Sequence, residues 1–163
     1  MKLRPPALAL LMIAGITGTA FAETYANARY DFAVDIPDVL SVAEPEPDSG
    51  DGRSFRSPDN SAELLVFGGW IAEGGFATEV EARQKFEAGE GWNITYASKL
   101  GKEGSSYSGT KESRILYARI IPRCGDSGYA MYRLEYPAAE KEKYDAAIKQ
   151  LNTSLKAGSE GCS

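Results

Sequence analysis

The chain of 163 residues contains no histidine. Histidine is the commonest general base and metal-ligating side chain, so its absence excludes Ser-His and Cys-His nucleophiles. Cysteine is scarce too, with only Cys124 and Cys162. These two are far apart and form no C-x-x-C motif, which argues against a redox-active pair. Catalysis that depends on an imidazole or on a thioredoxin-like dithiol is therefore not expected.

Positive charge is also in short supply. The chain has 18 basic against 23 acidic residues and no basic run, so its net charge is −5. A protein this acidic is a poor candidate for binding nucleic acid or anionic lipid. The sequence holds neither a G-x-G-x-x-G motif nor a P-loop, which argues against nucleotide or phosphate binding. We predict no cofactor.

A continuous hydrophobic run occurs only near the N-terminus. Lys2 and Arg4 precede an apolar stretch over residues 7–16, and Ala20-Phe21-Ala22 matches an A-x-A cleavage site. The apolar stretch is shorter than the roughly 20 residues that a membrane-spanning helix needs. We therefore predict that residues 1–22 are a cleaved signal peptide and that the mature chain has no membrane span. Its destination is the periplasm or the medium.

The predicted mature chain, residues 23–163, has 141 residues and a net charge that falls to −7. This length is usual for a single domain with a continuous core. Both cysteines lie in the exported part, where an even count indicates a disulfide. We predict a Cys124–Cys162 bond, which closes a loop of about 39 residues and stabilises the fold by about 4 kcal/mol in the chain-entropy model.

Alternating patterns rich in Tyr, Ile, Val and Thr predict mostly strands. Strands are predicted at 25–37 (two short or one bent), 53–57, 62–71, 92–100, 105–111, 113–122 and 129–136. Residues 39–43 are expected to extend the sheet of the first strands, and the last four strands to form an antiparallel meander. The acidic, Pro- and Gly-rich residues 44–52 indicate a loop.

Two helices complete the pattern. The T-x-x-E spacing of Thr78 and Glu81 predicts a capping box and a helix over about 79–88. A second helix is predicted over about 138–156, because its apolar residues recur at helical spacing. Those residues are Tyr144, Ile148, Leu151 and Leu155. The fold class is therefore α+β, with a central antiparallel sheet of six to seven strands and helices on its faces.

Three segments carry a family resemblance. They are Tyr25-x-Asn27-x-Arg29-Tyr30-x-Phe32-x-Val34-x-x-Pro37, the turn Ser57-Pro58-Asp59-x-Ser61-Ala62, and Tyr136-Pro137 before the last helix. Together they resemble small bacterial exported proteins near the PsbP-like αβα sandwich, named for the extrinsic protein of photosystem II. The resemblance implies a fold used mainly as a binding platform. It assigns no functional residue here, because the matching positions belong to strands and turns.

Catalytic alternatives rest on weaker patterns. Ser108 and Lys111 have the S-x-x-K spacing of penicillin-binding enzymes, but they fall in a predicted strand, and the S-D-N and K-T-G motifs are missing. A glycosidase-type pair of carboxylates needs a separation in space that sequence cannot supply. A small hydrolase that uses carboxylates or a Ser-Lys pair therefore stays open as a second hypothesis.

Two binding features remain. Oxygen ligands crowd the acidic loop, which makes calcium binding a third hypothesis. The ligands would come from Glu44, Glu46, Asp48 and Asp51. Tyr129 and Arg133 share a strand face opposite the one expected to receive the last helix, where a partner can dock. Our first hypothesis is a non-catalytic exported domain that binds an unidentified protein or small ligand in the cell envelope, or that supports an envelope assembly.

Overall fold

A computed structural model describes residues 23–162 of the chain. The predicted signal peptide, residues 1–22, lies outside the described residues. Within them the fold is α+β, with a seven-stranded antiparallel sheet, a smaller three-stranded sheet and two α-helices. The helices are α1 (Gly75–Gly89) and α2 (Lys141–Ser154). Short 3₁₀ turns occur at Asp38–Leu40 and Ala138–Glu140.

The strands follow the predicted pattern closely. They are β1 (Glu23–Asn27), β2 (Phe32–Ile36), β3 (Val42–Ala43), β4 (Gly52–Arg56), β5 (Glu63–Trp70), β6 (Asn93–Ala97), β7 (Ser105–Lys111), β8 (Arg114–Arg123), β9 (Gly128–Pro137) and β10 (Lys156–Ala157). The order is β1-β2-β10 in the small sheet and β3-β4-β5-β9-β8-β7-β6 in the large one. The antiparallel meander from β6 to β9 is confirmed. The expected extension at residues 39–43 is wrong, because β3 pairs with β4 in the large sheet.

The two faces of the large sheet carry different side chains and support separate hydrophobic cores. Along β9, one face carries Ala130, Tyr132, Leu134 and Tyr136, and the other carries Tyr129, Met131, Arg133 and Glu135. The first face lies under the small sheet and α2 and forms the larger hydrophobic core. The second face supports a smaller core with residues of α1. The sheet is therefore the middle layer of a three-layer sandwich.

Helix α2 seals the first face. Its stripe of Tyr144, Ile148 and Leu151 is buried as predicted. The Tyr132 hydroxyl donates a hydrogen bond to Asn152 Oδ1 at 2.7 Å, which pins the helix to β9. The helix ends at Ser154 rather than Lys156, because the chain turns extended at Leu155 and then pairs with β2 as β10.

Helix α1 begins four residues earlier than predicted, and the capping-box prediction is wrong. Gly74 is the N-cap, and Thr78 lies inside the first turn, where its hydroxyl donates to the Gly74 carbonyl at 2.8 Å. Gly74 and Gly75 both have positive φ, +80° and +74°. Only glycine adopts this backbone at little cost, so the two glycines let the chain reverse into the helix.

The cysteines form the predicted disulfide. Cys124 lies in the β8–β9 loop and Cys162 near the end of the described chain, with Cα atoms 5.1 Å apart. Disulfides persist in oxidising compartments, so the pair is typical of a protein that works outside the cytoplasm. Across residues 23–162, no helix is both long and apolar enough to cross a bilayer.

Leu151→Ala tests the packing of α2. Leu151 is fully buried, so its truncation leaves a cavity and is expected to lower the free energy of unfolding by about 2 to 5 kcal/mol. Lys149→Ala, on the exposed side of the same helix, is the matched control and is expected to change it by less than about 0.5 kcal/mol. Urea denaturation followed by circular dichroism measures both. Equal effects of the two substitutions would contradict the packing described here.

Candidate functional site

A groove of about 520 Å³ opens on the second face of the large sheet, beside α1. It exists because α1 covers only part of this face and leaves β5 and its neighbours open. Apolar side chains form its floor: Leu65, Phe67, Met131 and Trp92. Charged side chains from α1, β9 and the β7–β8 hairpin surround them: Arg83, Glu87, Glu90, Lys111, Glu112, Arg114, Arg133 and Glu135. Its volume lies within the range of small-ligand sites.

The face of α1 that packs on the sheet is apolar in the first half of the helix and charged in the second half. Phe76, Val80, Arg83 and Glu87 recur at intervals of four, three and four, so they share one face of the helix. The first two are buried in the smaller core. The last two place a guanidinium and a carboxylate against the sheet instead of apolar side chains. The second half of α1 is consequently held by polar contacts, and this half lines the groove.

Glu87 and Arg133 form the central contact between α1 and β9. Arg133 Nε and Nη2 donate to the two carboxylate oxygens of Glu87 at 2.7 and 3.2 Å, a bidentate arrangement. The Glu87 side chain is 4% exposed and that of Arg133 16% exposed. Burial alone lowers the pKa of Arg133, but the hydrogen bond and charge of Glu87 outweigh it and raise the pKa above its usual value. Arg133 therefore keeps its positive charge.

The ion pairs continue away from α1. Arg133 Nη1 also contacts Glu135 at 3.3 Å. Glu135 in turn pairs with Arg114, whose Nη2 donates to the Ser61 carbonyl at 3.1 Å. Two arginines, Arg133 and Arg114, thus neutralise Glu87 and Glu135 beside the floor of the groove. Such a network holds side chains in fixed positions at a polar surface.

Arg83 covers Tyr129. Its guanidinium lies 4.9 Å from the centre of the Tyr129 ring, donates to the Tyr129 hydroxyl and pairs with Glu79 at 2.7 Å. Tyr129 is buried as a result, and burial raises the pKa of its hydroxyl. Tyr129 and Arg133 lie opposite α2 as their alternation implies, but α1 occupies this region. Only Arg133 lines the groove, so Tyr129 is not placed where a partner can reach it.

Trp92, on the floor of the groove, and Tyr107 both belong to the smaller core. Lys111 Nζ lies 5.9 Å from the Trp92 ring centre. It also donates to the carbonyl of Glu90, the C-cap of α1, at 2.7 Å, and its charge interacts favourably with the negative end of the helix dipole. Tyr107 is fully buried, and its hydroxyl has no hydrogen-bond partner among the described residues. Desolvation and the nearby charge of Glu87 raise the pKa of that hydroxyl. Tyr107 is therefore a neutral side chain at every physiological pH.

The other predicted site residues do not converge. Ser108 and Lys111 are three positions apart on β7, so their side chains leave opposite faces of the sheet. In the acidic loop each of three carboxylates has its own partner. Glu44 pairs with Arg56 at 3.2 Å, Asp51 pairs with Arg29 at 3.1 Å, and Glu46 accepts from the Tyr25 hydroxyl at 2.8 Å. Residues 23–162 contain no group of three or more carboxylates or cysteines that could hold a metal ion.

Sequence reasoning identified Arg133 but missed Glu87, Arg83 and Phe86. A signal for the first two was present, since they occupy positions on the face of α1 that packs on the sheet, where apolar residues are expected. A charged pair at such positions predicts a salt bridge to the facing sheet. Phe86 gave no such signal, because one exposed aromatic residue on a helix is unremarkable in sequence. Its side chain is 63% exposed and stands at the edge of the groove.

Glu87→Gln tests whether the buried ion pair holds α1 in place. Loss of one charge leaves Arg133 with Glu135 as its remaining partner, so a decrease of about 1 to 3 kcal/mol in the free energy of unfolding is expected. Glu81→Gln on the exposed side of α1 is the matched control and is expected to cost less than about 0.5 kcal/mol. Denaturant titration measures both. If the two costs were the same, the pair would not anchor the helix.

Comparison with known proteins supports the fold. No protein-family model matches the chain, and no curated protein is significantly similar to it. Among solved structures, the chain is similar to cyanobacterial PsbP (CyanoP) from Synechocystis sp. PCC 6803. The TM-score is 0.61 at 14% sequence identity, over 91% of this chain and 99% of that one. The fold is therefore PsbP-like, as the sequence resemblance implied, and identity this low shows the fold alone.

Proposed function

We propose that this chain is a non-catalytic, exported binding domain and that the groove beside α1 holds its partner. Export is supported by the N-terminal pattern of Lys2, Arg4 and Ala20-Phe21-Ala22 and by the disulfide. The partner is a protein or ligand of the cell envelope. The periplasm and the medium both fit a cleaved signal peptide together with a disulfide.

The observation that carries the proposal is an exposed aromatic side chain beside a pre-formed polar network. Phe86 is 63% exposed at the edge of the groove, and Arg133 lines the groove within fixed ion pairs. Aromatic residues and arginines contribute most of the binding energy at many interfaces. Because the network is already ordered, a partner loses less conformational entropy when it docks there.

The same network argues against a catalytic role for Glu87 and Glu135. A general acid or base needs a proton that it can gain or lose near the working pH. Glu87 and Glu135 instead each accept hydrogen bonds from an arginine, so their oxygens are already engaged within the protein. The groove is suited to holding a partner in one orientation.

A photo-crosslinking residue at position 86 tests the proposal. p-Benzoylphenylalanine in place of Phe86 is expected to capture one envelope protein or ligand from an extract of the native cell. The same residue in place of Lys85, which is exposed on the adjacent position of α1 but outside the groove, is the matched control and is expected to capture nothing specific. Gel mobility and mass spectrometry identify the product.

Affinity for the captured partner then decides the role of the groove. Phe86→Ser is expected to weaken binding by about tenfold or more, whereas Lys85→Ser changes it less than about twofold. Isothermal titration or surface plasmon resonance measures both. Equal crosslinking at positions 85 and 86, or equal affinities for the two serine variants, would contradict the groove as the binding surface.

A further inference from the structure

Within residues 23–162, Arg123 is a buried cation without a carboxylate partner. The residue is 3% exposed, and it forms no ion pair with any carboxylate in residues 23–162. Its Nε and Nη1 have no hydrogen-bond partner in that part of the chain, and these two atoms carry three of the five guanidinium N–H groups. A buried charge in proteins is normally paired, since an unpaired one costs several kcal/mol. An unpartnered buried guanidinium therefore indicates a missing anion.

The guanidinium lies on an aromatic surface. Trp70, Gly128 and Arg123 are direct cross-strand neighbours on β5, β9 and β8. Gly128 has no side chain, so Arg123 can reach across it, and its Cζ lies 4.9 Å from the centre of the Trp70 ring. Trp70 is itself half-exposed. A cation stacked on an aromatic ring, with donors directed away from it, is a common way to hold a carboxylate or phosphate group.

The C-terminal tail lies against Arg123. The tail comprises residues 158–162, and Arg123 Nη2 donates to its Glu160 carbonyl. The Glu160 N–H donates to Asp31 Oδ2 at 2.7 Å, and the Gly158 N–H donates to the Asp31 carbonyl at 2.7 Å. The disulfide to Cys124, the residue after Arg123, fastens the far end. The tail otherwise lies on the surface, with its side chains exposed.

We propose that Arg123 and Trp70 form an anion site that the disulfide-tethered tail keeps closed. A dithiol reductant opens it: two electrons and two protons pass to the disulfide, which becomes the thiols of Cys124 and Cys162, while the reductant becomes a disulfide. The tail is then held only by its hydrogen bonds to Asp31 and Arg123. An anion that pairs with the guanidinium replaces the Glu160 carbonyl. This site lies on the opposite face of the large sheet from the groove and does not depend on the proposed function.

Quenching of tryptophan fluorescence tests the proposal. Iodide is the anionic probe and acrylamide the neutral one, at constant ionic strength. Trp92 is buried, so quenching at the surface reports Trp70. Reduction with dithiothreitol is expected to raise the iodide quenching constant about threefold, because an uncovered cation concentrates anions beside the ring, and to raise the acrylamide constant much less. Arg123→Gln is expected to abolish the difference between the two quenchers.

Reduction could also raise quenching by unfolding the protein, so two variants serve as controls. Circular dichroism checks that each variant and the reduced protein remain folded. Cys124→Ser/Cys162→Ser opens the tail without a reductant. Asp31→Gly loosens the tail while the disulfide stays intact, and glycine accepts the positive φ of 42° at this position. Both are expected to show the selective gain for iodide. No gain, an equal gain for both quenchers, or a gain that persists in Arg123→Gln would overturn the proposal.

Competition between iodide and a second anion distinguishes a phosphoryl site from a carboxylate site. Phosphate that suppresses the iodide gain more strongly than acetate at equal ionic strength assigns the site to a phosphoryl group. The reverse order assigns it to a carboxylate. Both results support an anion site, whereas suppression by neither, beyond the effect of chloride, would overturn it.

Discussion

The alternation of side chains along β9 organises the molecule. One face of this central strand presents Tyr132, Leu134 and Tyr136 to α2, and the opposite face presents Met131 and Arg133 to α1. Because the side chains of a strand alternate strictly, a shift of the register by one residue would exchange the tyrosines with the charged residues. The hydrophobic requirement of the first face therefore fixes Arg133 on the second. The position of Arg133 in the groove is therefore a consequence of how the larger core packs.

The two helices meet the sheet by different physical means. Helix α2 buries a continuous apolar stripe and seals its face. Helix α1 buries apolar residues only in its first half, and its second half is anchored by the desolvated pair of Glu87 and Arg133. Ion pairs of this kind contribute little net stability compared with apolar contacts, but they fix geometry and leave polar groups at the surface. A groove beside α1 is the structural consequence.

Much of the fold was predictable because it depends on local patterns. Strand alternation, the α2 stripe and the cysteine count predicted the meander, the last helix and the disulfide. The prediction was wrong for β3, because two residues carry no information about which sheet they join. It was also wrong for the start of α1, because Thr78 satisfies the capping pattern while Gly74 and Gly75 make the turn. Glu87 was missed because a buried ion pair depends on a partner 46 positions away.

We propose that the second face of the large sheet is the surface on which a partner binds. Hydrogen–deuterium exchange of the protein with and without a captured envelope partner tests this most directly. Slowed exchange in residues 83–92 and 111–114, which border the groove, is the predicted result. Slowed exchange confined to residues 141–155, on the face that α2 seals, would contradict it.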